Sequence, residues 1–130
     1  MEIRDKNNEL LAILLKFNEF KNGKYFATDN SDEFQLASFD LNKDEIIEKH
    51  YHPEQNRTIR KTSEVIVVLD GKIEIEIYDN DLNFVHKEIL SFGDTISLIS
   101  GGHGLKIIDD SKFVEVKQGP FIPEVDKKRF

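Results

Sequence analysis

Residues 64–78 read EVIVVLDGKIEIEIY, and this stretch decides the fold. Its first half is rich in β-branched residues, and it ends at Asp70-Gly71, a pair typical of a tight turn between antiparallel strands. Beyond the turn, three isoleucines alternate with polar or charged residues, so one face of that strand is expected to be buried and the other exposed. The stretch predicts a β-hairpin with one face in the core.

Short strand-like segments separated by turn residues continue from this stretch in both directions. Strands at intervals of about ten residues indicate an all-β sandwich or barrel. The apolar run at residues 10–15, LLAILL, suits either a short helix or a buried strand, and we favour a strand that adds to the sheet of this subunit or of a partner. Residues 118–130 contain two prolines and a basic cluster, and they are predicted to run over the surface as a C-terminal tail.

The composition limits the possible functions. At 130 residues the chain is expected to form a single domain, and without cysteine it has no disulfide, thiolate zinc site or cysteine nucleophile. A net charge of −7 argues against binding to nucleic acid or to anionic membrane surfaces. Residues 10–15 are too short to span a bilayer and do not fit a secretory signal, so a cytoplasmic location is expected.

Four potential metal ligands lie in the strand-rich segments. His50 and His52 are two residues apart, so in an extended strand both imidazoles project from one face and can chelate one ion. Glu64 and His103 complete a set of three imidazoles and one carboxylate, which suits a first-row divalent ion. Iron, manganese, nickel and zinc are all compatible with this set. His86, among polar neighbours, is interpreted as a surface residue.

The two histidine-containing segments resemble the two sequence motifs of the cupin family. The residues that carry the resemblance are His50, His52, Glu64, Gly71, the run GDTISL at 93–98, and His103. In cupins the histidines and the glutamate bind a metal, and the glycine makes the turn that follows. The resemblance implies a single cupin-type β-barrel, a double-sheet jelly roll, over residues 34–117. Residues 1–33 would add N-terminal strands to the barrel or to a dimer interface.

Some positions depart from the family pattern. Asp44 stands where cupins usually have a glycine, six residues before the first histidine. The loop at residues 53–63 is longer than usual, and the second motif lacks its usual proline and trailing asparagine. Glu54 lies nearer the histidines than Glu64, but Glu64 keeps the family spacing to Gly71.

Cationic residues near the predicted ligands suggest an anionic ligand. Arg57, Arg60 and Lys61 lie in the long loop, where a guanidinium can hold a carboxylate or a sugar phosphate in a bidentate way. The alternative is a solvated loop that offsets the acidic surface. Lys117 is a further candidate for substrate binding, beside Arg57 and Arg60.

Lys117 lies on the predicted strand at residues 113–117, where it shares a face with Glu115 and the valines at 114 and 116 form the other face. If the valines pack in the core, the charged face points to solvent. If the strand is buried on both sides, Glu115 and Lys117 would pair inside the barrel.

The leading hypothesis is a small metal-binding cupin that acts on or senses a small anionic metabolite, with carbohydrate derivatives among the candidates. As an enzyme it would be a metal-dependent dioxygenase, isomerase or decarboxylase. One alternative is a metal-independent sugar-nucleotide epimerase or isomerase with a histidine base. Another is a non-enzymatic ligand-binding or regulatory module. A homodimer is expected, because the N-terminal apolar run and the aromatic tail offer surface that a small barrel does not cover.

Overall fold

The computed structural model describes residues 1–130 and contains ten β-strands and one short 3-10 helix, Phe17–Glu19. The strands are β1 (Glu2–Arg4), β2 (Leu10–Leu15), β3 (Gly23–Phe26), β4 (Ala37–Asp40), β5 (Glu64–Asp70), β6 (Lys72–Tyr78), β7 (Phe84–Ser91), β8 (Thr95–Leu98), β9 (Gly102–Ile107) and β10 (Lys112–Lys117). None of its helices has the length and apolar character needed to cross a membrane.

The strands form three antiparallel sheets. Sheet A has the order β1-β2-β8-β5-β10, sheet B pairs β3 with β4, and sheet C has the order β7-β6-β9. The all-β prediction is therefore confirmed. No sheet closes on itself, because β9 and β10 each pair with a neighbour on one side only. The structure is consistent with a sandwich of sheets A and C rather than with a closed barrel.

The main core lies between sheets A and C. On β6 the isoleucines at 73, 75 and 77 are at most 1% exposed, so the predicted alternation is confirmed. The 12 buried residues of this core are Ile3, Leu11, Ala12, Leu14, Ile66, Val68, Ile73, Ile75, Ile77, Leu90, Ile96 and Leu98.

The turn at Asp70-Gly71 is present, but the predicted hairpin is wrong. β5 pairs with β8 and β10, whereas β6 pairs with β7 and β9, so the turn carries the chain from sheet A to sheet C. Both backbone edges of β5 are already occupied, which leaves no edge for β6. Gly71 has φ of +75°, and a Cβ atom there would overlap the carbonyl oxygen of Asp110. Glycine is therefore required at this crossing between the sheets.

The N-terminal apolar run forms a strand, β2, and not a helix. Leu14 faces the main core, while Ile13 and Leu15 pack beneath sheet B with Leu36. Burial on both faces explains why this run shows no alternation of apolar and polar residues.

β10 presents its faces in a way that neither sequence-based alternative describes. Val114 and Val116 are 45% and 52% exposed, whereas Phe113 packs against the main core. Glu115 is exposed, and Lys117 forms an ion pair with Asp126 of the tail, at 2.9 Å, instead of pairing with Glu115. The tail supplies the countercharge, so Lys117 tolerates an inward position.

His86, interpreted from the sequence as a surface residue, is partly buried, with its side chain 33% exposed. His86 lies opposite Ile77 in register, so its side chain shares the inner face of sheet C. Its Nε2 atom is buried without a hydrogen-bond partner, 3.5 Å from Oε2 of Glu88. The carboxylate of Glu88 also contacts Lys16, whose Nζ lies 3.2 Å from Oε1 of Glu88. The three side chains are 25–33% exposed, so they lie at the solvent-reached margin of the inner face beside β7.

Replacing Asp79 with alanine is expected to lower the urea midpoint of unfolding at pH 7. Its Oδ1 accepts the backbone N–H groups of Asn83 at 2.8 Å and of Asp81 at 3.0 Å, which holds the β6–β7 turn. The hydrogen bond from Asn83 keeps the pKa of Asp79 below its ordinary value of 3.8. Because the folded state has the lower pKa, the carboxylate stabilises fully above the unfolded pKa and stops doing so as the pH falls through the folded value.

The difference in urea midpoint between the wild-type chain and Asp79→Ala should therefore shrink below about pH 4. Urea unfolding followed by circular dichroism over a pH series measures it. A difference that stays constant down to about pH 2 would contradict the role of the ionised carboxylate.

Candidate metal site

Glu64 and His103 meet at one end of the sandwich, although they are far apart in the chain. Glu64 begins β5 in sheet A, and His103 lies in β9 of sheet C opposite Ile77, on the inner face. The distance from Oε2 of Glu64 to Nε2 of His103 is 3.2 Å. The side chain of Glu64 is 8% exposed and that of His103 is 32% exposed, so the pair is reached from solvent on the histidine side.

The charge state of Glu64 follows from its neighbours. The His103 imidazole lowers the pKa of Glu64 most, and Lys127 and Lys117 lower it further, against the effect of burial. The carboxylate is therefore ionised at neutral pH. Its Oε2 atom is buried, and its one polar contact is Nε2 of His103 at 3.2 Å, a poorly aligned hydrogen bond that is the main cause of the lowered pKa. One oxygen of a buried carboxylate thus has a single, poorly aligned contact with the protein.

His50 and His52 form a second pair in a different setting. They lie in residues 41–63, which connect β4 to β5 without a strand, and both are exposed. Their ring centroids are 5.3 Å apart, and Nδ1 of His50 is 2.8 Å from the carbonyl oxygen of Glu48. The two imidazoles are neighbours even without the extended strand assumed from the sequence.

The four predicted ligands are therefore placed as two pairs. No group of three or more histidine, aspartate or glutamate side chains in this structure is close enough to hold one metal ion. The single four-ligand site remains a prediction. What the tertiary structure adds is the contact between Glu64 and His103, which links the two sheets.

The cationic loop is anchored at its C-terminal end. The backbone N–H groups of Arg60 and Lys61 donate to Oε2 of Glu33, at 2.9 and 3.2 Å, and these hydrogen bonds lower the pKa of Glu33. Lys61 also pairs with Glu9 at 3.0 Å. The guanidinium groups of Arg57 and Arg60 form no ion pair within the chain, so both are available to an anion.

Lys117 lies directly beside the Glu64–His103 pair, since it is opposite Glu64 in the β10–β5 register. Its ammonium is engaged by Asp126, and its Nζ lies 4.5 Å from the ring centre of Phe121. Lys127 adds positive charge near Glu64. The sequence showed a basic cluster in the tail, but it contained no signal that the tail passes this end of the sandwich.

The end of the tail reaches sheet C next to His103. The ring of Phe130 packs on Gly102, where a Cβ atom would lie 2.8 Å from it, and its centroid is 5.1 Å from that of Tyr78. The tail thus contacts β10 through Asp126 and β9 through Phe130. It borders the candidate site on both sheets.

Two clefts of the molecule lie elsewhere. One, of about 270 Å³, lies between sheet A and sheet B and is lined in part by Ile13, Tyr25 and Ser38. The other, of about 480 Å³, is an open depression beside Phe17 and Phe92. Neither includes a predicted metal ligand.

Comparison of the chain with known family models, with curated proteins and with solved structures found no match.

Proposed function

We propose that this chain is a small metal-binding protein of the cupin type that binds a small anionic metabolite. His50, His52, Glu64 and His103 would hold the metal. The observation that carries the proposal is Oε2 of Glu64, which is buried and ionised and has only a poorly aligned contact with the protein, to Nε2 of His103 at 3.2 Å. Such an oxygen is costly to bury, and a divalent cation would satisfy it. The nitrogen and oxygen donors suit iron, manganese, nickel or zinc.

The path of the chain supports the cupin interpretation. Between β5 and β10 the chain passes repeatedly from one large sheet to the other, as in a double-sheet jelly roll. Asp44, which replaces the usual glycine of the first motif, has φ of +69°. This left-handed conformation is one that aspartate adopts more readily than most residues, so the turn keeps the geometry that a glycine would provide.

One side of the sandwich is open where the site would form. Leu105 and Ile107 are in register with core isoleucines of β6, yet they are 37% and 53% exposed because the outer edge of β9 has no partner strand. The connecting residues 41–63 carry exposed apolar side chains of their own, Ile46 at 81% and Tyr51 at 83%. We propose that this segment adds to the free edge of β9 when metal binds, which would bring its two histidines to Glu64 and His103.

The charges around the site support an anionic ligand. Arg57 and Arg60 lie in the same connecting segment, residues 41–63, and their guanidinium groups form no ion pair within the chain. Lys117 borders Glu64 but is already paired with Asp126, so it would orient the site more than bind a second anion. A carboxylate or phosphate group would be held by the two arginines in a bidentate way.

A bound metal would supply a Lewis acid or a centre for oxygen activation, the chemistry used in dioxygenation, isomerisation and decarboxylation. The protein side of the site would contribute the negative charge of Glu64, three neutral imidazoles and a low-polarity wall formed by Ile77 and Leu98. The arginines of the segment would position the anion. Closure of the open edge would exclude water from the carboxylate.

Metal binding is expected to stabilise the wild-type chain and to depend on each pair of ligands. At free metal about 100 times the dissociation constant, the free energy of unfolding should rise by about 2.7 kcal/mol. His52→Ala removes a ligand from the His50–His52 pair, and Glu64→Gln removes one from the Glu64–His103 pair. Each variant should therefore lose most of this gain. The measurement combines bound-metal analysis after chelator treatment with urea unfolding in Mn²⁺, Fe²⁺, Ni²⁺ and Zn²⁺.

His86→Ala is the matched control, because it removes the one histidine outside the proposed site. It should retain the metal content and the metal-induced gain of the wild-type chain, each variant being compared with its own metal-free form. Hydrogen exchange should also show added protection of residues 41–63 on metal binding. Equal metal content in wild type and His52→Ala would overturn the proposal.

The Glu64–His103 contact also favours a second candidate, a metal-independent epimerase or isomerase acting on nucleotide-linked sugars. A histidine base supported by a carboxylate is what such an enzyme needs, and these two side chains are 3.2 Å apart. The expected proton donor is a tyrosine on the other side of the substrate, but the hydroxyl of Tyr78 donates to Glu76 at 2.7 Å. Full turnover of a nucleotide-linked sugar in chelator would favour this candidate, and turnover that is restored only by metal would exclude it.

A further inference from the structure

The cleft between sheets A and B has a largely apolar lining. Its volume is about 270 Å³, and it is lined by Ile13 and Leu15 of β2, by Tyr25 of β3 and by Phe20 from the segment between these strands. A cavity of about 150 Å³ holds benzene. This cleft therefore has room for a phenyl ring that carries a short polar group.

Ser38 brings an unpaired hydroxyl to the wall of this cleft. The residue lines the cleft and is 4% exposed, and its Oγ atom has no hydrogen-bond partner within the chain. Ser38 lies opposite Tyr25 in the β3–β4 register, so the two side chains are neighbours on the same face of sheet B. A buried hydroxyl without a partner is unfavourable, and a polar atom of a bound molecule would satisfy it.

The cleft also carries two opposite charges that have no ion pair within the chain, Glu19 and Lys21. The other charged side chains of the lining, Glu2 and Lys16, are already engaged in ion pairs. Nζ of Lys21 lies 3.7 Å from the ring centre of Tyr25, the residue beside Ser38. A free ammonium and a buried hydroxyl thus flank one aromatic ring, and a free carboxylate lines the same cleft.

We propose that this cleft binds a free α-amino acid with an apolar side chain. The carboxylate of the ligand would be bound by the ammonium of Lys21 and the hydroxyl of Ser38, and its ammonium by Glu19. Its side chain would pack against the apolar lining, which includes Ile13 and Phe20. A ligand with a single charge fits less well, because an acid without the amine faces Glu19 and an amine without the acid faces Lys21.

Titration with L-phenylalanine, followed by the backbone amide signals in the NMR spectrum, tests this proposal. Chelator is present throughout, so the result does not depend on the proposed metal site. Two analogues keep the phenyl ring and remove one charge each: 3-phenylpropanoate lacks the ammonium, and 2-phenylethylamine lacks the carboxylate. Each should bind about fivefold more weakly than L-phenylalanine.

Variants at the two charges should respond to different analogues. Lys21→Met should weaken the binding of L-phenylalanine and of 3-phenylpropanoate about fivefold and leave that of 2-phenylethylamine unchanged. Glu19→Gln should weaken L-phenylalanine and 2-phenylethylamine and leave 3-phenylpropanoate unchanged. Lys24→Met is the matched control, because Lys24 is exposed next to Tyr25 in β3 but does not line the cleft. It should bind all three molecules as the wild-type chain does.

Ser38→Ala separates a role in binding from a role in folding. Because Oγ has no partner within the chain, its removal should not lower the urea midpoint of unfolding. It should weaken the binding of L-phenylalanine about tenfold.

Three results would overturn the proposal. The first is the absence of saturable shifts at about 10 mM L-phenylalanine. The second is equal affinity for L-phenylalanine and for either analogue, which would exclude recognition of both charges. The third is an equal loss of affinity in Lys21→Met and Lys24→Met, which would exclude a direct contact with Lys21.

Discussion

Replacing Ile75 with alanine is expected to lower the free energy of unfolding by about 4 kcal/mol. Ile75 is 0% exposed at the centre of β6, the middle strand of sheet C, between Glu88 of β7 and Leu105 of β9. Truncation removes contacts with the facing sheet and leaves a cavity that strands held on both edges cannot close. Domains of this size have stabilities of roughly 5–15 kcal/mol, so the loss is a large fraction of the total. Urea unfolding followed by circular dichroism measures it.

Ile89→Ala is the matched control for this prediction. Ile89 is the same residue type in the same sheet, but it lies opposite Glu74 on the outer face and is 47% exposed. Its truncation should cost less than about 1 kcal/mol, because little apolar surface is returned to water. Equal losses in the two variants would show that the core does not lie between sheets A and C.

Asp94→Ala is expected to lower the free energy of unfolding by about 3 kcal/mol. Asp94 is 4% exposed in the turn before β8, and its carboxylate ties three parts of the chain together. Oδ1 accepts the backbone N–H of Phe17 at 3.0 Å, and Oδ2 accepts that of Ser91 at 3.0 Å. Nζ of Lys16 lies 3.3 Å from Oδ2. Removing the carboxylate leaves two N–H groups and an ammonium without this acceptor.

Asp109→Ala separates this effect from the loss of charge alone. Asp109 also pairs with a lysine, at 3.6 Å from Nζ of Lys72, but both side chains are 55% exposed. An exposed pair contributes at most about 1 kcal/mol and is screened by salt. Urea unfolding at low and high salt compares the variants. A loss for Asp94→Ala that disappears at high salt would argue against the buried hydrogen bonds as its cause.

The strands were predictable from local pattern, but their partners were not. In β6 the isoleucines are buried and the residues between them are more exposed, as the alternating sequence predicts. Successive side chains of a strand point to opposite faces, so this sequence can bury one face and expose the other. The Asp70-Gly71 turn was also predictable, yet it joins two sheets instead of two paired strands. A turn motif reports only the local backbone reversal. Which edges the flanking strands use depends on all the other strands that compete for them.

In the candidate site, too, the sequence identified residues, and only the fold decided which of them are in contact. Residue type singled out His50, His52, Glu64 and His103, and register in two different sheets placed Glu64 beside His103. The polar neighbours of His86 in the sequence indicated a surface residue, and its register with Ile77 places it on the inner face of sheet C with its side chain still 33% exposed. Lys127 and Asp126 were not predicted, since the tail reaches the site only through the fold.

The sequence by itself determined that this chain is an all-β protein, where most of its strands lie, and which nitrogen and oxygen donors could hold a metal. These properties depend on side-chain chemistry and on periodicity within a few residues, which the chain carries locally. Only the tertiary structure decided how the strands are divided among the sheets, which edges remain free and that Glu64 contacts His103. Those properties arise from competition for hydrogen-bonding edges and apolar faces between distant segments, and no local pattern encodes the outcome.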